Sequence, residues 1–358
     1  MNPAVLYFSQ KITDFIKKPL SLPAHSSPAY VLYKALGLYD VPLLKDCSDG
    51  NYTDGIITYT QGAKANSGSY GSLYFCTLFD ADAADTLFLK VSKNKEVSLK
   101  NEALLQHAAH ILLTYYGMPW AVPPVHTIVD HPQHGVAFTM DIITDAVLFG
   151  DYLVKHINWQ VECVENDVLI MEVISQLAAY IMLLESDLGL NHRDLKVNNV
   201  LMVKEEPLVN HTIVCGDGGG SKYVLNSRIR TVLIDFGFAC IGDVERRAMY
   251  ASAGNYLGAD MCPKPGRDMF LIFANLWNVA ALRRVLTARG RGLFKKWLTD
   301  DLGKDWALWL SADLDKELLN IYKLVNGTNF RSTRAGARAV LADIGAYYPS
   351  VVHAPIVL

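Results

Sequence analysis

The sequence predicts an α+β chain of two lobes, the first rich in β-strands and the second mainly helical. Two observations predict it. From Gly55 the apolar residues fall in short runs bounded by turn residues, at 56–60, 73–79, 86–91 and 136–140. After Asp151 they recur with helical spacing, most plainly over 164–184. Strands first and helices later is the order of an α+β architecture. A chain of 358 residues has room for two such lobes.

Taken in order, residues 1–54 read as a helical extension. Leu6, Phe8, Ile12, Phe15 and Ile16 give 4–18 an apolar face. A Pro/Ser stretch at 19–28 follows, and Ser27-Pro28 suits the cap and first turn of a second helix over 29–36. The first lobe then spans 55–140, with a helix over about 97–116 between its strands. A connector covers 141–150, and the second lobe covers 151–358. Within that lobe a β-type interruption spans 200–236, and 204–230 reads as an inserted hairpin. Gly216-Asp217-Gly218-Gly219-Gly220 would form its tip, and 209–226 should be removable at modest entropic cost. Helices resume from Asp268.

Composition narrows the classes. Apolar residues make up 51% and the net charge is -3, which gives no general electrostatic basis for binding nucleic acid. The cysteines Cys47, Cys76, Cys163, Cys215, Cys240 and Cys262 lack C-x-x-C spacing, so reduced thiols and a cytoplasmic or nuclear setting are expected. No secretory leader opens the chain and no transmembrane segment is expected. His107 and His110 lack a third ligand at helical spacing, so zinc is not expected. The basic stretch Arg283, Arg284, Arg289, Arg291, Lys295 and Lys296 reads as a solvated face, and Trp297, Trp306 and Trp309 read as core.

The chemistry concentrates in two motifs. Asn191-His192-Arg193-Asp194-Leu195-Lys196-Val197-Asn198-Asn199-Val200-Leu201 has the pattern H-R-D-L-K-x-x-N followed by apolar residues. An Asp can orient a hydroxyl and accept its proton, a Lys two residues on can neutralise a moving phosphate, and an Asn can hold a metal ion. Val232-Leu233-Ile234-Asp235-Phe236-Gly237 is an apolar run ending in D-F-G. Either could arise by chance; both, in order and each after the element it requires, are specific.

These motifs resemble those of the eukaryotic-type protein kinase superfamily, and the resemblance covers about residues 55–345. It implies the bilobal kinase fold, ATP and Mg2+ as cofactors, and transfer to a protein hydroxyl. Lys196 after H-R-D-L is similar to the serine/threonine branch. The brevity of the later segments is similar to kinases encoded by large DNA viruses. Residue by residue, Asp194 would be the base, Lys196 would stabilise the transferring group, and Asn199 and Asp235 would ligate magnesium. His192 and Phe236 would stack beneath the loop, and Asp268 would hold its backbone.

The first lobe carries the partners of these motifs. Asn66-Ser67-Gly68-Ser69-Tyr70-Gly71-Ser72-Leu73 resembles the glycine-rich loop over the phosphates, with Asn66 in the first Gly position. Gly68, Ser69, Gly71 and Leu73 are its nucleotide-binding candidates. Leu87-Phe88-Leu89-Lys90 stands where V-A-I-K is expected, and Lys90 should pair with Glu102, or else Glu96. Met140 resembles a gatekeeper, with the backbones of Asp141 and Ile143 reaching adenine.

Departures from the pattern bear on the substrate. About 40 residues separate Asp194 from Asp235, roughly twice the family's usual spacing. A-P-E is absent; Gly254-Asn255-Tyr256-Leu257-Gly258-Ala259-Asp260 is a contracted echo of it. Asp260 would pair with Arg331, or else be a loop residue with Arg331 capping a helix. Phe330-Arg331-Ser332-Thr333 resembles the family's last subdomain. Alternatives of other classes stay open: a small-molecule kinase of the aminoglycoside or choline type, or an ATP-binding pseudokinase scaffold. Against the latter stand Lys90, Asp194, Asn199 and Asp235, all present.

Overall fold

The structure is a computed structural model describing residues 41–48, 50–67, 71–80, 83–214, 222–242, 248–251, 262–311, 321, 325 and 330–356. The helices expected within 1–36 therefore lie outside the described residues, as do Gly68, Ser69, Asp260 and the glycine run at 216–220.

Alternating apolar residues build the first lobe. Its sheet has seven strands: β1 (Lys45–Ser48), β2 (Asn51–Thr53), β3 (Thr58–Ser67), β4 (Gly71–Asp80), β5 (Ala83–Ser92), β6 (Val125–His131) and β7 (Gly135–Met140). They are ordered β1-β2-β3-β4-β5-β7-β6. β1 and β2 come from the stretch read as extension. On β5, Leu87, Leu89 and Val91 are buried with Cys76, Leu78, Val129 and Ala137. The period of two sends Lys90 to the other face. There it lies between Leu73 and Phe138 in register. Helix α1 (Lys100–Tyr115) packs beside this face, with Leu104, Leu105, Ala108 and Leu112 buried.

The second lobe is organised around α3 (Val164–Leu183), preceded by β8 (Ala146–Leu148) and α2 (Phe149–His156). By length and composition Val164–Leu188 could cross a membrane, contrary to the sequence reading; here 83% of its most apolar window is buried inside the fold. It is a core helix against which α4 (Arg267–Trp277) and α8 (Ala337–Tyr347) pack, while α5 (Ala280–Val285), α6 (Ala288–Trp297) and α7 (Trp306–Leu310) pack on α4. Short strands β9 (Leu190–Asn191), β12 (Cys240–Gly242) and β13 (Ala248–Tyr250) form a separate sheet, ordered β13-β12-β9.

The interruption is a long antiparallel hairpin, β10 (Val200–Val214) and β11 (Lys222–Leu233). It is not a free insertion. β11 pairs with β14 (Val352–Ile356), matching Leu225 to Val352, and β10 pairs with β8. Tyr223 and Leu225 are buried in the main core. Gln176, buried in α3, donates to Ile229 O at 3.0 Å and accepts from Thr231 N at 3.1 Å. The expectation that 209–226 could be removed is therefore corrected: β14 lies far along the sequence, and the pairing it makes leaves no local signal.

The thiol expectation is also corrected. Cys240 and Cys262 are joined by a disulfide, with Cα atoms 6.3 Å apart and 22 residues between them in sequence. In the chain-entropy account a loop of that length is worth about 3 kcal/mol. Among the described residues Cys47, Cys76 and Cys163 are free thiols.

Two outcomes follow for the hairpin. Leu225→Ala should cost about 2–5 kcal/mol in denaturant unfolding, because the side chain is fully buried. Replacing residues 215–221 with Asn-Gly, which suits a two-residue turn joining the paired Val214 and Lys222, should cost less than about 1 kcal/mol. Equal losses in the two variants would contradict the weight given to the buried Leu225.

Candidate active site

Two loops of the second lobe meet a lysine of the first. Lys90 Nζ donates to Glu102, on the first turn of α1, and to Asp235 Oδ1 at 2.8 Å. Glu96 is exposed and its N–H turns back to Asn94, so it takes no part. Glu102 is buried, whereas the Asp235 side chain is 44% exposed. Burial opposes the charge on Lys90, but Glu102 and Asp235 outweigh it and hold the ammonium above its ordinary range. Burial raises the Glu102 carboxyl, with Lys90 pulling the other way. Lys90 holds Asp235 down to about 2 against its partial desolvation. Asp235 therefore stays ionised at neutral pH and open on one side.

Gly237 makes this packing fit. A Cβ there would stand 3.3 Å from Asp235 Oδ1 and 3.4 Å from Glu102 Oε2. α1 is anchored at the same end by Asn101 Nδ2, which donates to Tyr250 O at 2.9 Å.

The second loop carries Asp194. Asn199 Nδ2 donates to Asp194 O at 2.8 Å and Oδ2 at 2.9 Å, and Lys196 Nζ donates to Oδ2 at 2.7 Å. Ile234 N donates to Asn199 O at 3.1 Å, and His192 Nε2 lies 3.0 Å from Ile234 O. These bonds join the Asp194 loop to the Asp235 loop. The His192 and Phe236 rings pack 4.9 Å apart below them, the stacking the sequence led us to expect.

Beneath the loop lies a buried polar network. Asp268, on the first turn of α4, accepts the backbone N–H groups of His192 and Arg193, each at 2.7 Å. Asn191 Nδ2 donates to Glu185 at 2.8 Å and Asp268 at 3.2 Å. Asn191 Oδ1 accepts from Lys264 N at 2.6 Å and Arg267 Nη2 at 2.8 Å. Burial, and then the neighbouring Asp268 charge, push the Glu185 carboxyl up to about 8. Asp268 was singled out in the sequence. Asn191, Glu185, Lys264 and Arg267 were not, because their roles depend on residues roughly 70–80 positions apart meeting in space.

At the connector, Met140 ends β7 and its sulfur lies 3.5 Å from Gln106 Nε2. Asp141 N donates to Pro124 O at 3.4 Å, and its carboxylate pairs with His126 at 2.6 Å. Ile143 lines a cavity of about 200 Å³ with Trp120, Ile142, Thr144, Val203, Arg230 and Val232. That cavity contains none of Lys90, Asp194 or Asp235 and is separate from their cluster. Gly71 and Leu73 sit on β4 beside Lys90, and a Cβ at Gly71 would stand 3.0 Å from Val91 O. Arg331, proposed to meet Asp260, is exposed. In the basic stretch Arg291 pairs with Glu162 and Lys296 with Asp343.

Among the described residues no group of three or more His, Cys, Asp or Glu is placed to hold a metal ion. Asn199 and Asp235 nevertheless offer oxygens of the kind a hard cation takes. The Asn199 amide nitrogen is committed to Asp194, which turns its Oδ1 away from that carboxylate. Two protein oxygens are enough where a nucleotide's phosphates and water complete the shell, as is usual for magnesium.

No protein-family model matches the chain, and no curated protein matches it. Among solved structures it is similar to the crystal structure of the BubR1 kinase domain, with a TM-score of 0.42 and 13% identity, over 98% of this chain and 95% of that one.

Two outcomes test the site's electrostatics. Lys90→Met should destabilise by about 3–5 kcal/mol, because it strands the buried Glu102. Adding Glu102→Gln should recover part of that loss in a double-mutant cycle; strict additivity would contradict the pairing. For Glu185, the folded protein keeps a proton up to about pH 8 that the unfolded chain releases near 4.5. Stability should therefore fall as pH rises through this window, by a few kcal/mol at about 1.4 per unit. Glu185→Gln should flatten the slope, and parallel slopes in urea unfolding would contradict the assignment.

Proposed function

We propose that this chain transfers the γ-phosphoryl group of ATP, in the presence of magnesium, to serine or threonine hydroxyls of protein substrates. The observation that carries this reading is Lys90 Nζ held between Glu102 and Asp235, with the Asp235 loop bonded directly to the Asp194 loop. A cation fixed in that position suits nucleotide phosphates, and a carboxylate on the adjoining loop suits an incoming hydroxyl.

Each residue has a separate task. Lys90 binds phosphate oxygens, and Glu102 keeps its ammonium from swinging away. Asn199 and Asp235 would hold magnesium, which when bound offsets charge on the phosphates. Asp194 accepts a hydrogen bond from the acceptor hydroxyl and aims its oxygen at the phosphorus. Lys196, within 2.7 Å of Asp194, is also close enough to lower the Asp235 carboxyl. It therefore supplies positive charge between the two, where the transferring group passes. Gly71 and Leu73, beside Lys90 on β4, would cover the nucleotide, with Met140, Asp141 and Ile143 bounding the base.

Asp194→Asn keeps the shape of the side chain and removes the acceptor charge. It should lower kcat by about 10²–10⁴-fold while nucleotide binding persists. The assay is purified protein with labelled ATP and magnesium against a mixed panel of proteins and metabolites. Label in protein hydroxyls supports the reading. Label only in metabolites, or wild-type turnover in the variant, contradicts it.

A further inference from the structure

The Cys240–Cys262 bond stands against the loop that carries Asp194. Cys240, on β12, pairs in register with Asn191 of β9, the residue before His192. Cys262 lies two residues before Lys264, whose N–H donates to Asn191 Oδ1 at 2.6 Å. Arg267 Nη2 donates to the same oxygen at 2.8 Å and lies 3.6 Å from Cys240 Sγ. The bond therefore fastens the strand beside Asn191 to the segment that supplies two of its donors. Both cysteines are buried.

We propose that Cys240 and Cys262 form a thiol–disulfide exchange site whose oxidised state holds the Asp194 loop in its working position. The co-reactant is a dithiol. One of its thiolates attacks Cys262 Sγ, forming a mixed disulfide and expelling the Cys240 thiolate. The Arg267 guanidinium at 3.6 Å stabilises that leaving group, since a neighbouring cation favours thiolate over thiol. The second thiol of the reductant then displaces the Cys262 thiolate and closes a cyclic disulfide. Two electrons and two protons pass to the protein, which ends with two thiols. Burial means that exchange must follow local opening of the segment. In a compartment as reducing as the cytoplasm the pair would stay open; in an oxidising one it would close.

Reduction frees the Cys262 end, so Lys264 holds Asn191 less firmly. Asp268 keeps its own bonds to the loop, so the protein remains folded. Lys90, Glu102 and Asp235 are untouched, so nucleotide binding is unchanged. The effect on turnover rests on the phosphoryl-transfer reading, whereas the bond and its effect on loop mobility do not.

The test uses the whole chain purified without reductant, with half of it treated with dithiothreitol. Peptide mapping after alkylation should show Cys240 joined to Cys262 in the untreated half only. Hydrogen exchange at the Lys264 amide, which donates to Asn191 Oδ1, should quicken about tenfold on reduction. kcat should fall, with nucleotide affinity unchanged. Cys262→Ser should match the reduced form and ignore dithiothreitol. Free thiols at both positions after treatment with oxidised glutathione would overturn the proposal, as would identical exchange in the two states. Quickened exchange with no phosphoryl transfer in either state would overturn the enzymatic reading and leave the redox site standing.

Discussion

The Asp268 carboxylate is the point on which the geometry of the second lobe turns. It is completely buried, and it takes the N–H groups of two successive residues, His192 and Arg193. That grip forces the chain to reverse. Arg193 has φ 67°, a left-handed conformation that costs a side-chain-bearing residue about 1–3 kcal/mol and persists only where neighbours enforce it. The enforcement is visible: Arg193 Nη1 donates to Phe238 O at 3.1 Å, and its guanidinium lies 4.9 Å from the Tyr250 ring. The turn so fixed sets Asp194 against Lys196 and Asn199, which donate to it. Gathering Asp268, Glu185 and Asn191 into one buried site has a consequence for protonation. Two carboxylates cannot both be charged there at low cost, and Glu185 keeps the proton.

The first lobe solves the converse problem, holding a cation where phosphate would be expected. A buried lysine is unfavourable alone, and a buried Lys–Glu pair is only weak evidence of stabilisation. What the pair supplies is position. It joins α1 to β5, and through Asp235 it joins the first lobe to the second. Asp235 itself has φ 65°, so the D-F-G turn and the H-R-D turn each contain a left-handed non-glycine residue. Strain at both loops, each held by side chains from elsewhere, is the arrangement expected of a site prepared before its ligand arrives.

The parts of this site that were legible in the sequence are those whose chemistry is local. H-R-D-L-K-x-x-N places Asp194, Lys196 and Asn199 within one turn, so spacing alone fixes their relation. Lys90 and Glu102 were legible through the resemblance, as the Lys ending the apolar run Leu87-Phe88-Leu89 and a Glu on the helix that follows; the period of two on β5 and the first turn of α1 are why the fold brings them together. Illegible parts depend on distant pairings. β1 and β2 are three or four residues of mostly polar chain, too short to show alternation. The base of the hairpin looked dispensable because β14, its partner, begins at Val352. Cys240 and Cys262 carried no spacing signal, and only folding places them together. The apolar helix Val164–Leu188 shows the opposite ambiguity: composition alone does not separate a core helix from a membrane span.

The central claim is that the space bounded by Lys90, Asn199 and Asp235 receives a metal–nucleotide complex. A crystal structure with a non-hydrolysable ATP analogue and manganese in place of magnesium tests it most directly. The account predicts an anomalous peak in contact with Asp235 and Asn199 oxygens, and phosphate oxygens against Lys90 Nζ. Nucleotide bound elsewhere, as in the cavity beside Trp120 and Arg230, with no manganese at Asp235, would contradict it.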